Sequence, residues 1–150
     1  TYGYMSPEYA MEGNFSVKSD VFSFGVLILE IVSGRRNISF YHLDRPLNLI
    51  RHAWELWKAG TAMELKDPTL GNSCDEHQLL RTIHVGLLCV QESSTDRPII
   101  SDVISMLNNE TMPLSAPKQP PFFTGRSVLE ANRSKTSSVN DFSISVMEAR

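Results

Sequence analysis

The apolar positions crowd closest between Val21 and Val32, where only Ser23, Gly25 and Glu30 interrupt them. Such a segment has no polar face, so it predicts a helix buried on all sides. Ser16 stands where its hydroxyl can accept from a backbone N–H of the first turn, and Gly34 followed by Arg35 and Arg36 suits the far end. A strand is the competing reading for so β-branched and aromatic a run, but its length and two end signals favour helix. A membrane span needs about 20 mostly apolar residues; this run is shorter and carries Asp20 and Glu30. Asp20 is the odd residue. A carboxylate near the start of a buried helix is costly unless donors meet it, so a hydrogen-bonding partner is expected there.

Other helices follow from spacing. Leu49, Ile50, Ala53, Trp54 and Trp57 recur at helical intervals, predicting a helix over 47–59 ended by Gly60. The two tryptophans read as core and surface packing rather than a base-stacking platform. Asp75 with Gln78 three residues on is a capping-box pattern, opening a helix through Leu79, Leu80, Ile83, Leu87 and Leu88 that is apolar on one face. Ile100, Val103, Ile104 and Leu107 mark an amphipathic last helix from near Pro98 to about Leu107. At the front, Ser6-Pro7-Glu8 can open one short helix, with Ser6 as cap and Pro7 in the first helical position. Segments 37–46 and 67–72 read as loop and turn. From Glu110 the composition changes: four of the eight prolines lie between Pro113 and Pro121, and residues 127–150 hold six serines. This part is expected to be an extended, mobile tail.

The chain has 150 residues, 41% hydrophobic and 21% charged, enough for one core. A net charge of −3 gives no basic field, so nucleic acid is not an expected partner. Cys74 and Cys89 form no close pair, and Cys89 lies in the apolar run Val85–Val90, which predicts a buried thiol and fits a reducing compartment. Four N-x-S/T triplets occur, at Asn14, Asn37, Asn109 and Asn132. Such triplets arise often by chance, and Ser16 has a role as a helix cap, so a secreted glycoprotein is not favoured. His42, His52, His77 and His84 make no zinc-ligand spacing, and no metal site is assigned. The chain begins at Thr1 rather than methionine and shows no signal-peptide pattern, so it is expected to be cut at its front.

Three separated stretches carry a family resemblance. Thr1-Tyr2-Gly3-Tyr4-Met5-Ser6-Pro7-Glu8-Tyr9, then Ser19-Asp20-Val21-Phe22-Ser23-Phe24-Gly25-Val26, then Asp96-Arg97-Pro98 resemble, in that order, the end of a eukaryotic protein kinase activation segment and the C-lobe after it. Ser6-Pro7-Glu8 is similar to the A-P-E element, with serine for alanine. The resemblance implies a buried ion pair between Glu8 and Arg97 that ties the substrate loop to the last helices, a task suited to a planar guanidinium. It implies that the Asp20 carboxylate accepts backbone hydrogen bonds from a catalytic loop upstream of Thr1. Thr1 would bond the catalytic aspartate and a nearby lysine, in a supporting role. Gly3, Tyr4 and Met5, with Thr1, would shape the pocket for the substrate residue after the phosphoacceptor, a serine or threonine. Thr1 and Tyr2 are candidate phosphorylation sites.

Three further stretches, 30–37, 86–92 and 138–150, resemble plant receptor-like serine/threonine kinases of the S-locus, G-type lectin S-domain class, with the cysteine-rich receptor-like kinases next. The implied fold is mainly α: a partial protein-kinase-like fold with a helical C-lobe over 1–109, then a Pro/Ser-rich tail over 110–150.

Phosphoryl transfer needs groups that cradle phosphates, hold magnesium and accept the hydroxyl proton. The sequence has no glycine-rich phosphate loop, strand lysine, H-R-D-x-x-x-x-N loop or D-F-G, and Asp141-Phe142 is followed by serine. ATP and Mg2+ are therefore expected of the complete protein, and no catalytic, cofactor or metal residue of this chain. Two functions compete. The chain is the C-terminal part of a single-pass receptor kinase on the cytoplasmic side of the plasma membrane, with protein substrates and a second receptor kinase as partners, reaching the membrane only through upstream residues. Alternatively it is a truncated, non-catalytic binding module. The family covers one side of the central helix with upstream helices, so an exposed apolar patch is expected here.

Overall fold

The computed structural model describes residues 2–37, 48–71 and 74–121. Among them are five α-helices: α1 Pro7–Glu12, α2 Val17–Ser33, α3 Leu49–Ala59, α4 Glu76–Cys89 and α5 Ile100–Asn108. Single 3-10 turns lie at Tyr2–Tyr4, Ala62–Leu65, Pro68–Leu70 and Ser94–Asp96. No described helix is long and apolar enough to cross a membrane.

Helix α2 starts and stops where its end signals fall. Ser16 Oγ accepts from the N–H groups of Lys18 and Ser19, and Ser19 Oγ accepts from the Ser16 N–H at 3.1 Å, a capping box closed by serine instead of glutamate. Gly34 turns left-handed at φ 64° and donates its N–H to Glu30 O at 2.8 Å. The helix packs hardest against α4, and glycine makes the crossing close. A Cβ on Gly25 would stand 2.5 Å from Cys89 Cβ and 3.0 Å from Gly86 O. Phe22, Val26 and Leu29 of α2 meet Ile50 and Ala53 of α3 and Ile83 and Leu87 of α4 in the main core. Val21, Val85, Cys89 and Val103 form a second cluster under α5. Each of the valine, leucine, isoleucine and phenylalanine side chains among them, fully removed from water, contributes roughly 1.5–3 kcal/mol.

Helix α2 is not buried all round, in contrast to the reading of its apolar run alone; its exposed side is where the family resemblance implied an apolar patch. Leu27 is 45% and Ile31 68% exposed, and Asp20 is exposed with them, with half-buried Phe24 between. Positions 20, 24, 27 and 31 follow helical spacing, so they form one stripe on the side away from α4. Apolar content alone does not say which faces of a helix have neighbours. The helix most enclosed is the second half of α4, where every residue from Val85 to Cys89 is buried; its first half is one-sided, with Leu80 exposed.

Smaller differences have local causes. Helix α3 begins at Leu49 rather than at 47, because Asn48 caps it, its Oδ1 accepting from Arg51 N–H at 2.8 Å. Asp75 caps α4 through the His77 N–H at 2.8 Å, but Gln78 does not reciprocate; its Nε2 donates to Glu110 Oε1 at 2.9 Å. Helix α5 begins at Ile100 because Arg97 and Ile99 are extended; Arg97 precedes Pro98, which disfavours helical backbone at that position. Ser6 occupies the cap position of α1 without a side-chain cap bond.

The expected tail from 110 divides. Its described part, 110–121, runs extended, yet it is fastened to α4. Arg81 donates to the carbonyls of Met106, Glu110 and Met112, at 2.5, 3.1 and 2.9 Å. His84 Nε2 lies 2.8 Å from Ser115 O. Buried Gln91 grips the backbone of Lys118 from both sides, accepting its N–H at 2.7 Å and donating to its carbonyl at 3.0 Å. Pro117, Pro120 and Pro121 are buried. Proline's fixed φ lowers the entropy lost in seating such a strap.

Candidate functional site

The segment from Tyr2 to Glu12 is a 3-10 turn followed by the short helix α1, and it rests on α2 and on the loop before α5. With little hydrophobic burial of its own, α1 has no buried residue. Its position is therefore set by polar bonds.

Arg97 makes most of them. Its Nη1 and Nη2 hold the two Glu8 oxygens at 2.7 and 2.9 Å, a two-bond fork. Nη1 also donates to Lys18 O at 3.0 Å, Nη2 to Glu92 O at 2.9 Å, and Nε to Gln91 O at 2.8 Å. All five guanidinium N–H groups thus have an acceptor. The guanidinium carbon stands 5.0 Å from the Phe22 ring centre, within cation–π range. The Arg97 carbonyl accepts in turn from Lys18 Nζ. Arg97 is 1% exposed, while the Glu8 side chain keeps 22% exposure. Burial, the largest single influence, raises the Glu8 carboxyl, but the Arg97 bonds and charge, a backbone N–H and the Ser6 hydroxyl together outweigh it and hold it down at about 2. Ser6 stands close enough to favour the ionised carboxylate, yet its buried hydroxyl has no partner at hydrogen-bond geometry among the described residues.

A second network holds the 3-10 turn. The Tyr4 hydroxyl donates to the Glu30 carboxylate, 2.9 Å from each oxygen, which raises the phenol's pKa; burial and the carboxylate's charge add to this. Ser23 Oγ donates to Tyr4 O at 2.7 Å. Asn37 Nδ2 donates to Gly3 O at 2.7 Å, and the Asn37 N–H donates to Glu30 Oε1 at 2.7 Å. Gly3, Tyr4 and Met5 are half-buried, with an open side.

Of the residues singled out in the sequence, Gly3, Tyr4, Met5, Glu8 and Arg97 belong to this one region. Asp20 lies apart on the uncovered stripe of α2, and its carboxylate has no hydrogen bond among the described residues. Asp20 is exposed in this chain rather than buried; the backbone donors expected for it belong to residues upstream of Thr1. Thr1 lies outside the described residues, as do the 138–150 stretch and most of the 37–46 loop. Glu30, Asn37 and Ser23 were not legible as site residues, because their partners lie 7 to 34 positions away. The single charged residue within the apolar run 21–32, Glu30, was the available signal. Cys89 is buried in the α2–α4 seam with its thiol pushed up to about 12 by burial, so it is inert as a nucleophile. No group of three or more His, Cys, Asp or Glu side chains converges among the described residues.

Comparison with known proteins bears on this arrangement. Residues 1–107 match the family described as protein tyrosine and serine/threonine kinase, and residues 109–150 match a domain of unknown function, DUF3403. Receptor-like serine/threonine-protein kinase SD1-7 of Arabidopsis thaliana is 51% identical over 160 residues, covering 100% of this chain and 19% of the relative. Cysteine-rich receptor-like protein kinase 7 of the same plant is 50% identical, covering 100% of this chain and 24% of the relative. A G-type lectin S-receptor-like serine/threonine-protein kinase, also from Arabidopsis thaliana, is 52% identical, covering 100% and 18%. The chain thus spans about a fifth of the length of these relatives.

Proposed function

The chain belongs to the protein tyrosine and serine/threonine kinase family, and from that premise we propose that it forms the substrate-facing loop and helical base of the catalytic lobe of a plant receptor-like serine/threonine kinase. The observation that carries the reading is the Glu8–Arg97 fork, which fixes the strand of chain behind Gly3, Tyr4 and Met5 to the last helices. A loop so anchored can present its open side to a protein substrate without moving when the substrate leaves. Gly3, Tyr4 and Met5 shape the pocket for the residue after the phosphoacceptor, with Thr1 beside them. Thr1 and Asp20 support the reacting groups from outside, Asp20 by accepting from the backbone of a catalytic loop.

The uncovered stripe of α2 fits this reading. Asp20, Leu27 and Ile31 on one face of an otherwise enclosed helix supply what another part of a catalytic domain would cover. ATP and Mg2+ belong to the reaction of the full protein. The residues described here do not fit either group: no metal-ligating cluster converges, and the sequence carries no phosphate-cradling motif. The reading places both ligands on residues upstream of this chain, as the kinase motifs missing from the sequence imply. Residues 110–121 serve as a strap across α4. Protein substrates, a second receptor kinase as partner, and a place on the cytoplasmic side of the plasma membrane complete the proposal.

The test is a chimera in which this whole chain follows the kinase-domain segment that precedes the matching stretch of SD1-7. It is expected to transfer phosphate from ATP to serine and threonine peptides and not to tyrosine peptides. A chimera that melts cooperatively but transfers nothing would overturn the kinase reading and favour a binding module without catalysis.

A further inference from the structure

Asn37 joins three parts of the fold that are far apart in sequence. Its Nδ2 donates to Gly3 O at 2.7 Å, its Oδ1 accepts from the Leu49 N–H at the start of α3 at 3.0 Å, and its own N–H donates to Glu30 Oε1 at 2.7 Å. The residue is 4% exposed, so water does not compete for these bonds. The two contacts also fix which way the amide faces, since the flipped form would set N–H against N–H and oxygen against oxygen.

Gly3 has no side chain by which the turn could be anchored. Its backbone carbonyl is the available handle, and Asn37 takes it, while Ser23 takes the next carbonyl, that of Tyr4, at 2.7 Å. Two consecutive carbonyls held by two side chains leave the peptide plane between them little freedom to rotate. Beyond Tyr4 the chain passes directly into the half-buried Met5 and the Glu8 anchor.

We propose that Asn37 is a positioning residue for the loop that faces the protein substrate, holding the Gly3 carbonyl in place and coupling that loop to the start of α3. The proposal rests on the kinase reading above. A carboxamide is required, because the site needs a donor and an acceptor on one short side chain. Aspartate supplies only acceptors at neutral pH, and serine is too short to reach both partners. A glycan on Nδ2 is incompatible with this arrangement, so the Asn37 triplet is not a glycosylation site in the folded protein.

The test uses the chimera described above with Asn37→Asp and Asn37→Ala. Asn37→Asp keeps an acceptor for Leu49 but turns a carboxylate oxygen against the Gly3 carbonyl, so it releases the loop contact with repulsion added, whereas Asn37→Ala removes both contacts without a new charge. Losing one buried hydrogen bond predicts a rise of at least roughly 3–10-fold in KM for a peptide substrate, with the KM for ATP and kcat within about twofold. Amide exchange at Tyr4 and Met5 should quicken in the same variant. An active chimera whose peptide KM is unchanged by Asn37→Asp overturns the proposal alone. So does an equal loss in peptide KM, ATP KM and kcat, which marks general structural damage. A wild-type chimera without transfer overturns the kinase reading, and the substrate-facing part of this proposal with it.

Discussion

Arg97→Ala is expected to destabilise the chain by about 3–5 kcal/mol, the range for breaking a buried ion pair by removing one partner. The loss is large because one side chain meets five acceptors. Without it the Glu8 carboxylate keeps its charge with no cation beside it, and the carbonyls of Gln91, Lys18 and Glu92 lose their donor. Arg97→Lys should recover little, since a point-like ammonium cannot reach four separate residues from one place. Acid adds an independent readout. The Glu8 carboxyl lies at about 2 in the fold against an ordinary 4.5. A depressed carboxyl contributes stability that is fully present above the unfolded value and is lost as pH falls through the folded one. The parent chain should therefore lose stability from about pH 4.5 down towards 2, and Arg97→Ala should abolish most of that slope. Denaturant melts at neutral pH and across that window measure both. A change under about 0.5 kcal/mol at neutral pH, the scatter of ordinary surface substitutions, contradicts the account.

Gly25→Ala carries the second-largest expected effect, and its sign is the informative part. In an open helix interior the change stabilises by roughly 1 kcal/mol, because alanine is the better helix former. Here the added methyl would meet Cys89 Cβ at 2.5 Å and Val90 Cγ1 at 2.9 Å. Neither is the loose end of a long side chain, so α2 and α4 must separate. Overpacking of this kind costs about 1–3 kcal/mol, occasionally more, which reverses the propensity gain. Gly86→Ala is the graded comparison. Its methyl would stand 3.0 Å from Leu29 Cδ2, the end of a side chain that can shift, so the cost should be smaller. Equilibrium unfolding of the two variants checks the order, and a stabilised Gly25→Ala would show that the helices do not cross at these residues.

Much of the helical frame was written in local signals. Ser16, Gly34 and Gly60 mark helix ends through their own hydroxyl or their own freedom at positive φ, information that needs no tertiary contact. The apolar spacing of α3, α4 and α5 likewise reports a core face directly. What the chain does not spell out is which neighbour covers which face. Helix α2 reads as enclosed because its apolar residues run all round, yet Leu27 and Ile31 are exposed. The same limit hid the strap. Residues 110–121 have the composition of a solvated tail, and what binds them is the side chains of Arg81, His84 and Gln91 reaching backbone carbonyls, which leaves no trace in the strap's own sequence. In the candidate site, Glu8 and Arg97 were legible through motif resemblance, whereas Asn37 was not, because its work is done by an amide on partners 12 and 34 residues away.

The central claim is that this chain is a helical base, completed by further catalytic-domain residues on the Asp20–Ile31 stripe of α2. Ile31→Glu tests it most directly, measured by unfolding in the chain alone and in the SD1-7 chimera. Ile31 is 68% exposed in the chain, so there the change should stay within about 0.5 kcal/mol, as surface substitutions do. In the chimera the same glutamate would be buried against added residues without a partner, and a loss of roughly 2 kcal/mol or more is expected. An equally small effect in both proteins would mean that nothing docks on the stripe, and the account of the chain as part of a larger catalytic lobe would fail.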